Sequence, residues 1–204
     1  RISFTVLDSH LAGGYMEGVE LDTDDDLAVE YIAARDKDGI WSNMDGGVEG
    51  DHVQCIVEAP NGDIYIGGPF TSANSVANTA YLAKWDGSDW SSVTGADTLS
   101  ARVYALCFDA EGNLYVGGNF TNLGDANGDY IVKWDGSSLT SLGTGMDAGV
   151  QALAIDPDTG YLYAGGAFTS AGGVADTAYI AYWDGSAWNA MSSGLGGAVT
   201  DLVF

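Results

Sequence analysis

Basic residues are what this sequence has least of. Six Lys and Arg stand against 29 Asp and Glu in 204 residues, a formal charge of −23, and no Lys or Arg follows Lys133. Such a surface repels phosphate backbones and anionic headgroups, so nucleic acid and membrane surfaces are disfavoured as partners. The same charge favours solubility and recruits cations. Long apolar runs are missing as well: no stretch of about 20 apolar residues exists, so no membrane span is expected. Sustained helical periodicity is absent, which leaves strands to build the fold. With 46% hydrophobic and 11% aromatic residues the chain is not a disordered one, and its length suffices for one all-β domain with a sizeable core.

What is present is repetition. "IYIGGPFTSANSVANTAYLAKWDGSDW" (Ile64 to Trp90), "LYVGGNFTNLGDANGDYIVKWDGSSL" (Leu114 to Leu139) and "YLYAGGAFTSAGGVADTAYIAYWDGSAW" (Tyr161 to Trp188) are copies of one unit. Tyr81, Tyr130 and Tyr179 are spaced by 49 residues, and so are the Trp-Asp-Gly-Ser quartets that begin at Trp85, Trp134 and Trp183. A strand-rich period of about 40–50 residues is the signature of a propeller blade. "YIAARDKDGIW" from Tyr31 to Trp41 reads as a worn copy of "YLAKWDGSDW", and Tyr15 stands 50 residues before Tyr65. Residues 1–49 are therefore read as a degenerate first repeat, the alternative being an unrelated N-terminal segment; residues 50–204 carry the clear repeats.

Each unit reads as four short strands. "VYALCF" (Val103–Phe108) or "VQALAI" (Val150–Ile155) comes first, apolar on both faces. Glycine-bearing turns at 60–63, 110–113 and 156–160 lead into a second strand ending in Gly-Gly, where a Cβ would clash with a close backbone. A loop of about ten residues precedes the third strand, and Asp-Gly at 86–87, 135–136 and 184–185 turns the chain into the fourth. One such sheet cannot bury both apolar faces alone; stacking sheets radially does. The expected fold is all-β, a β-propeller of four-stranded antiparallel blades with a period of about 49 residues. Trp85, Trp134 and Trp183 are expected in equivalent buried positions, with Phe70, Phe120, Phe168 and the tyrosines packing between blades. Cys55 and Cys107 fall on first strands with side chains pointing the same way, so they are read as buried free thiols rather than a disulfide.

Apolar strand, Gly-Gly, roughly a dozen residues, Tyr, then Trp resembles the kelch repeat. The wider "LYVGGNFT…YIVKWDGSSL" pattern is similar to the kelch-type repeats of bacterial surface proteins and phage tail proteins. The resemblance covers residues 53–204 well and 1–52 weakly; it implies a propeller and little about activity. The Trp-Asp repeat family fits less well, because its Gly-His element is absent. Copper oxidases built on kelch-type propellers need a His and Tyr constellation, and this chain has only His10 and His52,. Sialidases need an arginine cluster that Arg1, Arg35 and Arg102 cannot assemble. Asp86, Asp135 and Asp184 are instead explained by turns, since Asx side chains bond their own backbone. Asp22, Asp24, Asp25 and Asp26 raise calcium, but Leu27 and Ala33 stand where an EF-hand loop needs Gly and an acid. No cofactor is expected, with weak surface calcium binding left open and a solvated loop as the default. Asn119-Phe120-Thr121 matches a glycosylation acceptor only by coincidence with a repeat position.

The leading functional expectation is a non-enzymatic extracellular, cell-surface or virion-borne propeller, an adhesion or tail protein presenting loops to a surface protein or glycan, or to other chains of an assembly. The alternatives are a piece of a propeller enzyme whose catalytic residues lie elsewhere, and an architectural spacer. Loops 71–80, 121–129 and 169–178 are variable, polar, and expected on one rim, opposite the tight glycine turns. Candidate partner-contacting positions are 73 and 76 in the first loop; Asn122, Asp125 and Asp129 in the second; and Asp176 in the third. "ISFTVLD" near the start is expected to be a first strand, and Val199–Phe204 ("VTDLVF") to begin a further blade, so that this chain does not close a ring by itself.

Overall fold

A computed structural model describes residues 3–6, 32–35, 41–96, 99–123, 127 and 129–204. β1 (Ser3–Val6), β2 (Ile32–Arg35) and β3 (Trp41–Ser42) form a three-stranded N-terminal sheet. β4 (Val48–Glu49) pairs with β7 (Ser72–Ala73). Three four-stranded sheets follow. Sheet I holds β5 (Cys55–Glu58), β6 (Ile64–Gly67), β8 (Leu82–Trp85) and β9 (Trp90–Ser92). Sheet II holds β10 (Val103–Phe108), β11 (Leu114–Gly118), β12 (Ile131–Trp134) and β13 (Leu139–Ser141). Sheet III holds β14 (Val150–Ile155), β15 (Leu162–Gly166), β16 (Ile180–Trp183) and β17 (Trp188–Ala190). Every pairing is antiparallel between strands that follow one another in the sheet, so each sheet is a plain meander.

The Asp-Gly turns explain the outer hairpins. Trp85 pairs with Trp90, Trp134 with Leu139 and Trp183 with Trp188, leaving four loop residues each time. Within the loop, Asp86 Oδ1 accepts from the backbone N–H of Ser88 (3.0 Å) and Asp89 (2.9 Å) and from the Ser88 hydroxyl. Asp135 and Asp184 repeat the arrangement with Ser137 and Ser138, and with Ser186 and Ala187. The glycine that follows each acid has a φ of 95–103°, a left-handed backbone that side chains resist,.

Packing runs between sheets. One cluster joins sheets I and II through Leu82, Val103, Val116 and Phe120; another joins II and III through Tyr115, Ile131, Val150 and Phe168. A third joins the N-terminal sheet to sheet I through Ile32, Met44, Ile66 and Phe70. Phe70, Phe120 and Phe168 are fully buried, each contributing about 1.5–3 kcal/mol of apolar burial. The glycine pairs set the spacing. A Cβ on Gly67 would lie 2.5 Å from Val103 Cγ1 of the next sheet, and one on Gly117 would lie 2.7 Å from Val150 Cγ1. A Cβ on Gly118 would instead meet the Arg102 carbonyl of its own sheet at 2.5 Å.

Residues 199–204 follow the same rule. A Cβ on Gly165 would lie 2.5 Å from Val199 Cγ1, and Phe204 meets Tyr163 edge-on at 5.0 Å, as Phe108 meets Tyr65 at 5.3 Å. The segment thus docks on sheet III as β10 docks on sheet I.

Two expectations are corrected. β1 is not a first strand: Ser3 pairs with Arg35 as Leu114 pairs with Trp134, which places β1 in the second-strand position. Trp85, Trp134 and Trp183 do occupy equivalent positions against the clusters, but they are half-buried. Among the described residues the fully enclosed indoles are Trp90 and Trp188 on the fourth strands, at 5% and 3% exposure. Each drives its N–H into a carbonyl of the connection preceding its own sheet, Met44 at 2.6 Å and Leu142 at 2.9 Å. Cys55 and Cys107 are free thiols, and burial pushes both up to about 12.

Candidate functional site

The loops between second and third strands emerge at one end of the sheets, and their stems are built alike. Tyr81 N–H donates to the Phe70 carbonyl (3.1 Å), while the Tyr81 carbonyl accepts from Gly68 N–H (3.1 Å). Tyr130 does the same with Phe120 and Gly118, and Tyr179 with Phe168 and Gly166. All three tyrosines have a left-handed backbone, with φ of 65°, 62° and 66°. An aromatic residue there costs on the order of 1–3 kcal/mol and persists only where its surroundings determine it. The two backbone bonds and the buried phenylalanine provide that determination, and they close the loop base.

A buried threonine organises the interior of two loops. Thr79 Oγ1 accepts from Ala73 N–H (2.8 Å) and donates to the Val76 carbonyl (2.6 Å). Thr177 does the same for Ala171 (2.9 Å) and Val174 (2.8 Å). Both are fully buried. The middle loop uses Asp129, whose carboxylate accepts from Asn122 N–H at 2.8 Å.

Two of the loops are also tied to the connection that precedes their sheet. Glu49 accepts from the hydroxyls of Ser72 and Ser75, both at 2.6 Å, and Asp45 accepts from Asn74 Nδ2 at 2.6 Å. The Ser72 and Ser75 hydroxyls hold the Glu49 carboxyl below its ordinary range. Asp147 accepts from the Thr169 hydroxyl (2.6 Å) and from the N–H of Thr169 and Ser170. Partial burial pushes Asp147 up, and these donors outweigh it to leave the carboxyl lowered. A further bond links each of two loops to the next connection, Met146 N–H to Asp129 O and Leu195 N–H to Ala178 O.

The candidate positions therefore separate. Position 73 is Ala73, fully buried in β7, where the alternating exposure of the strand turns it inward. Position 76 is Val76, half-buried with part of its side chain packed on the core. Asn74, Asn78, Asn122 and Asp176 are exposed at left-handed φ values of 42–63°, where Asn and Asp are the tolerated residues,. Asp129 is half-buried and serves the loop itself. Asp125 lies outside the described residues, as do His10 and the Asp22–Asp26 cluster. Thr79, Thr177, Glu49 and Asp147 were not among the sequence candidates; the copied "TAY" triplets at 79–81 and 177–179 were the available signal for the threonines.

The opposite end holds the glycine turns. Asp86, Asp135 and Asp184 are held below the ordinary carboxylate range, chiefly by backbone N–H donors for the first two and by the Ser186 hydroxyl for the third. Lys84 forms an ion pair with Asp63 at 3.2 Å. At the loop end, beside Gly68, His52 is bonded through Nδ1 to Asp51 at 2.7 Å. Among the described residues no group of three His, Cys, Asp or Glu converges to hold a metal.

No family model and no curated protein matches this chain. Among solved structures, the extracellular domain of a protein described as a one-component system from B. thetaiotaomicron is similar in fold, with a TM-score of 0.51 at 10% identity. The match covers 86% of this chain and 22% of that one, so this chain spans about a fifth of the larger structure. At that identity the likeness is one of all-β architecture alone. Among the described residues no helix is long and apolar enough to cross a membrane.

Proposed function

We propose that this chain is a non-enzymatic kelch-type β-propeller unit that acts outside the cell, on a cell or virion surface, and presents loops 71–80, 121–129 and 169–178 to a surface protein or glycan. The observation that carries this reading is the repeated loop architecture. Each stem is fixed by the Phe–Tyr–Gly backbone bonds, while Asn74, Asn78, Asn122 and Asp176 stand exposed above it. Variable polar groups on a rigid frame are the usual arrangement for recognition. The other repeated acids, Asp86, Asp135 and Asp184, are engaged in closing turns, which supports a binding role over acid catalysis. The solved structure of similar fold is an extracellular domain, in keeping with that location.

Replacing the exposed residues of each loop by Gly (Asn74 and Asn78, Asn122, or Asp176), which leaves the buried Ala73, Thr79, Leu123, Ala171 and Thr177 in place, tests the reading on a glycan array and on intact cells. Loss of binding with any loop so changed, and retention when Asp135→Ser and Asp184→Ser alter the other end, is the expected result. A hydrogen-exchange footprint of the bound partner on the Asp-Gly turns would place recognition at the wrong rim.

A further inference from the structure

Gly145, Met146 and Asp147, on the connection between sheets II and III, are bonded to the loops of both sheets. On the sheet II side, Met146 N–H donates to the Asp129 carbonyl at 3.2 Å. Gly145 has a φ of 70°, and a Cβ there would lie 2.7 Å from the same Asp129 oxygen and 2.8 Å from the Asn127 carbonyl. On the sheet III side, Met146 forms a β-bridge with Ala171. The Gly145 carbonyl accepts from Gly172 N–H at 2.8 Å, and Asp147 N–H donates to the Ser170 carbonyl at 3.2 Å. The Asp147 carboxylate adds bonds from the Thr169 hydroxyl and from the N–H groups of Thr169 and Ser170.

The bonding continues into each loop. Asp129 is held at two places: its carbonyl takes Met146 N–H, and its carboxylate takes Asn122 N–H. Ala171 is held likewise, bridged to Met146 and donating its N–H to Thr177 Oγ1. A continuous series of contacts therefore joins Asn122, Asp129, Met146, Ala171 and Thr177. Met146 is 4% exposed and shares an apolar cluster with Ala171, which anchors the middle of the series in the core. Asn74 of the first loop is bonded elsewhere, to Gly47 and Asp45.

We infer that Gly145–Asp147 is a strap that couples the loops of sheets II and III, so that ordering one of them orders the other. Bonds on one side hold the strap where it can make those on the other. Releasing either side leaves the strap and the far loop more freedom to lose when they are next ordered. A ligand that fastens one loop thereby lowers the ordering cost of the second, which is coupling without a change of fold. The coupling belongs to the free chain and does not depend on what the loops bind.

Amide hydrogen exchange of the unliganded 204-residue chain, read residue by residue, tests the strap from both sides. Asp147→Ala removes the carboxylate bonds to Thr169 and Ser170, all on the sheet III side. Asn122 N–H, in the other loop, is nevertheless expected to exchange about tenfold faster. Gly145→Ala sets a methyl against the Asn127 and Asp129 carbonyls on the sheet II side. Ala171 N–H, held by Thr177, is then expected to exchange about tenfold faster. Ala73 N–H, held in the same way by Thr79 in the first loop, is expected to be unchanged in both variants. Faster exchange confined to the loop that each substitution touches would overturn the inference, and so would equal acceleration of Ala73, the mark of general destabilisation. Either variant alone decides if the other fails to fold, and Thr169→Val, which removes a single donor to Asp147, is a milder form of the first.

Discussion

Two tryptophans that look alike in the sequence should respond in opposite ways to the same substitution. Trp188 is 3% exposed and its indole N–H donates to the Leu142 carbonyl at 2.9 Å. Trp134 is half-buried, yet its Nε1 is shut from water with no hydrogen-bond partner. Replacing Trp by Phe removes about 50 Å² of ring surface, worth about 1.2 kcal/mol where it is fully buried. At Trp188 a net hydrogen bond of about 1 kcal/mol is lost as well, so Trp188→Phe should cost about 2 kcal/mol. At Trp134 about half the area term applies, but an orphaned buried donor that costs about 1–3 kcal/mol disappears with the indole. Trp134→Phe should therefore stabilise, by about 0.4–2.4 kcal/mol. Leu139, 8% exposed, shows that the position equivalent to Trp188 also accepts a purely apolar residue. Urea unfolding followed by far-ultraviolet circular dichroism measures both differences without relying on tryptophan emission. Equal destabilisation by the two substitutions would refute the assignment of satisfied and orphaned donors. Truncation to alanine is a separate matter: Trp134→Ala should still cost about 3 kcal/mol from lost packing.

Gly117→Ala places a methyl 2.7 Å from Val150 Cγ1 and 3.2 Å from Leu153 Cδ1, and should cost about 1–3 kcal/mol by overpacking, read as a lower melting temperature. Thr177→Val should cost about 2 kcal/mol, and the Ala171 amide it releases should exchange with deuterium at least tenfold faster. Asp135 and Asp184 have lowered folded pKa values against an ordinary 3.8. Their contribution to stability is thus present above that value and lost as pH falls below it, and Asp184→Ser should flatten the acid limb of a stability–pH curve. Cys55 runs the other way: its thiol is raised from 9.0 to about 12. Stability is intact below pH 9 and declines as pH rises from 9 towards 12, and Cys55→Ala should reduce that decline; alkylation of the native thiol at pH 8 should be slow.

The four-strand unit was legible because its punctuation is local. Gly-Gly marks where the next sheet's valine approaches, and Asp-Gly-Ser carries its own turn chemistry, so both could be placed without knowing any partner. Burial of the tryptophans was not legible to the same degree. Trp85 and Trp90 face each other across one hairpin, and which of them is enclosed depends on Met44, 46 residues earlier, offering its carbonyl. The position of β1 was misread because a worn repeat was aligned on Tyr15, whereas register with β2 decides which strand it replaces. In the loops, polar composition pointed to the right segments but could not separate Asn74, exposed, from Ala73 beside it, buried in a two-residue strand with Val48. The left-handed tyrosines were invisible, since backbone strain of that kind is imposed by tertiary closure against residue preference.

The stem formed by Phe120, Gly118 and Tyr130 spans nine loop residues, while those ending at Tyr81 and Tyr179 span ten. Identical clamps thus hold tips of different length and different internal wiring, a threonine in two and an aspartate in one. Each tip nevertheless sends one small or apolar residue back into the clusters below, Ala73, Leu123 and Ala171. Such a frame permits diversification of its exposed positions alone: Asn74, Asn78, Asn122 and Asp176 can change while the clamp and the buried anchors stay, which makes these positions, rather than whole segments, the natural ones for building libraries of variant binders.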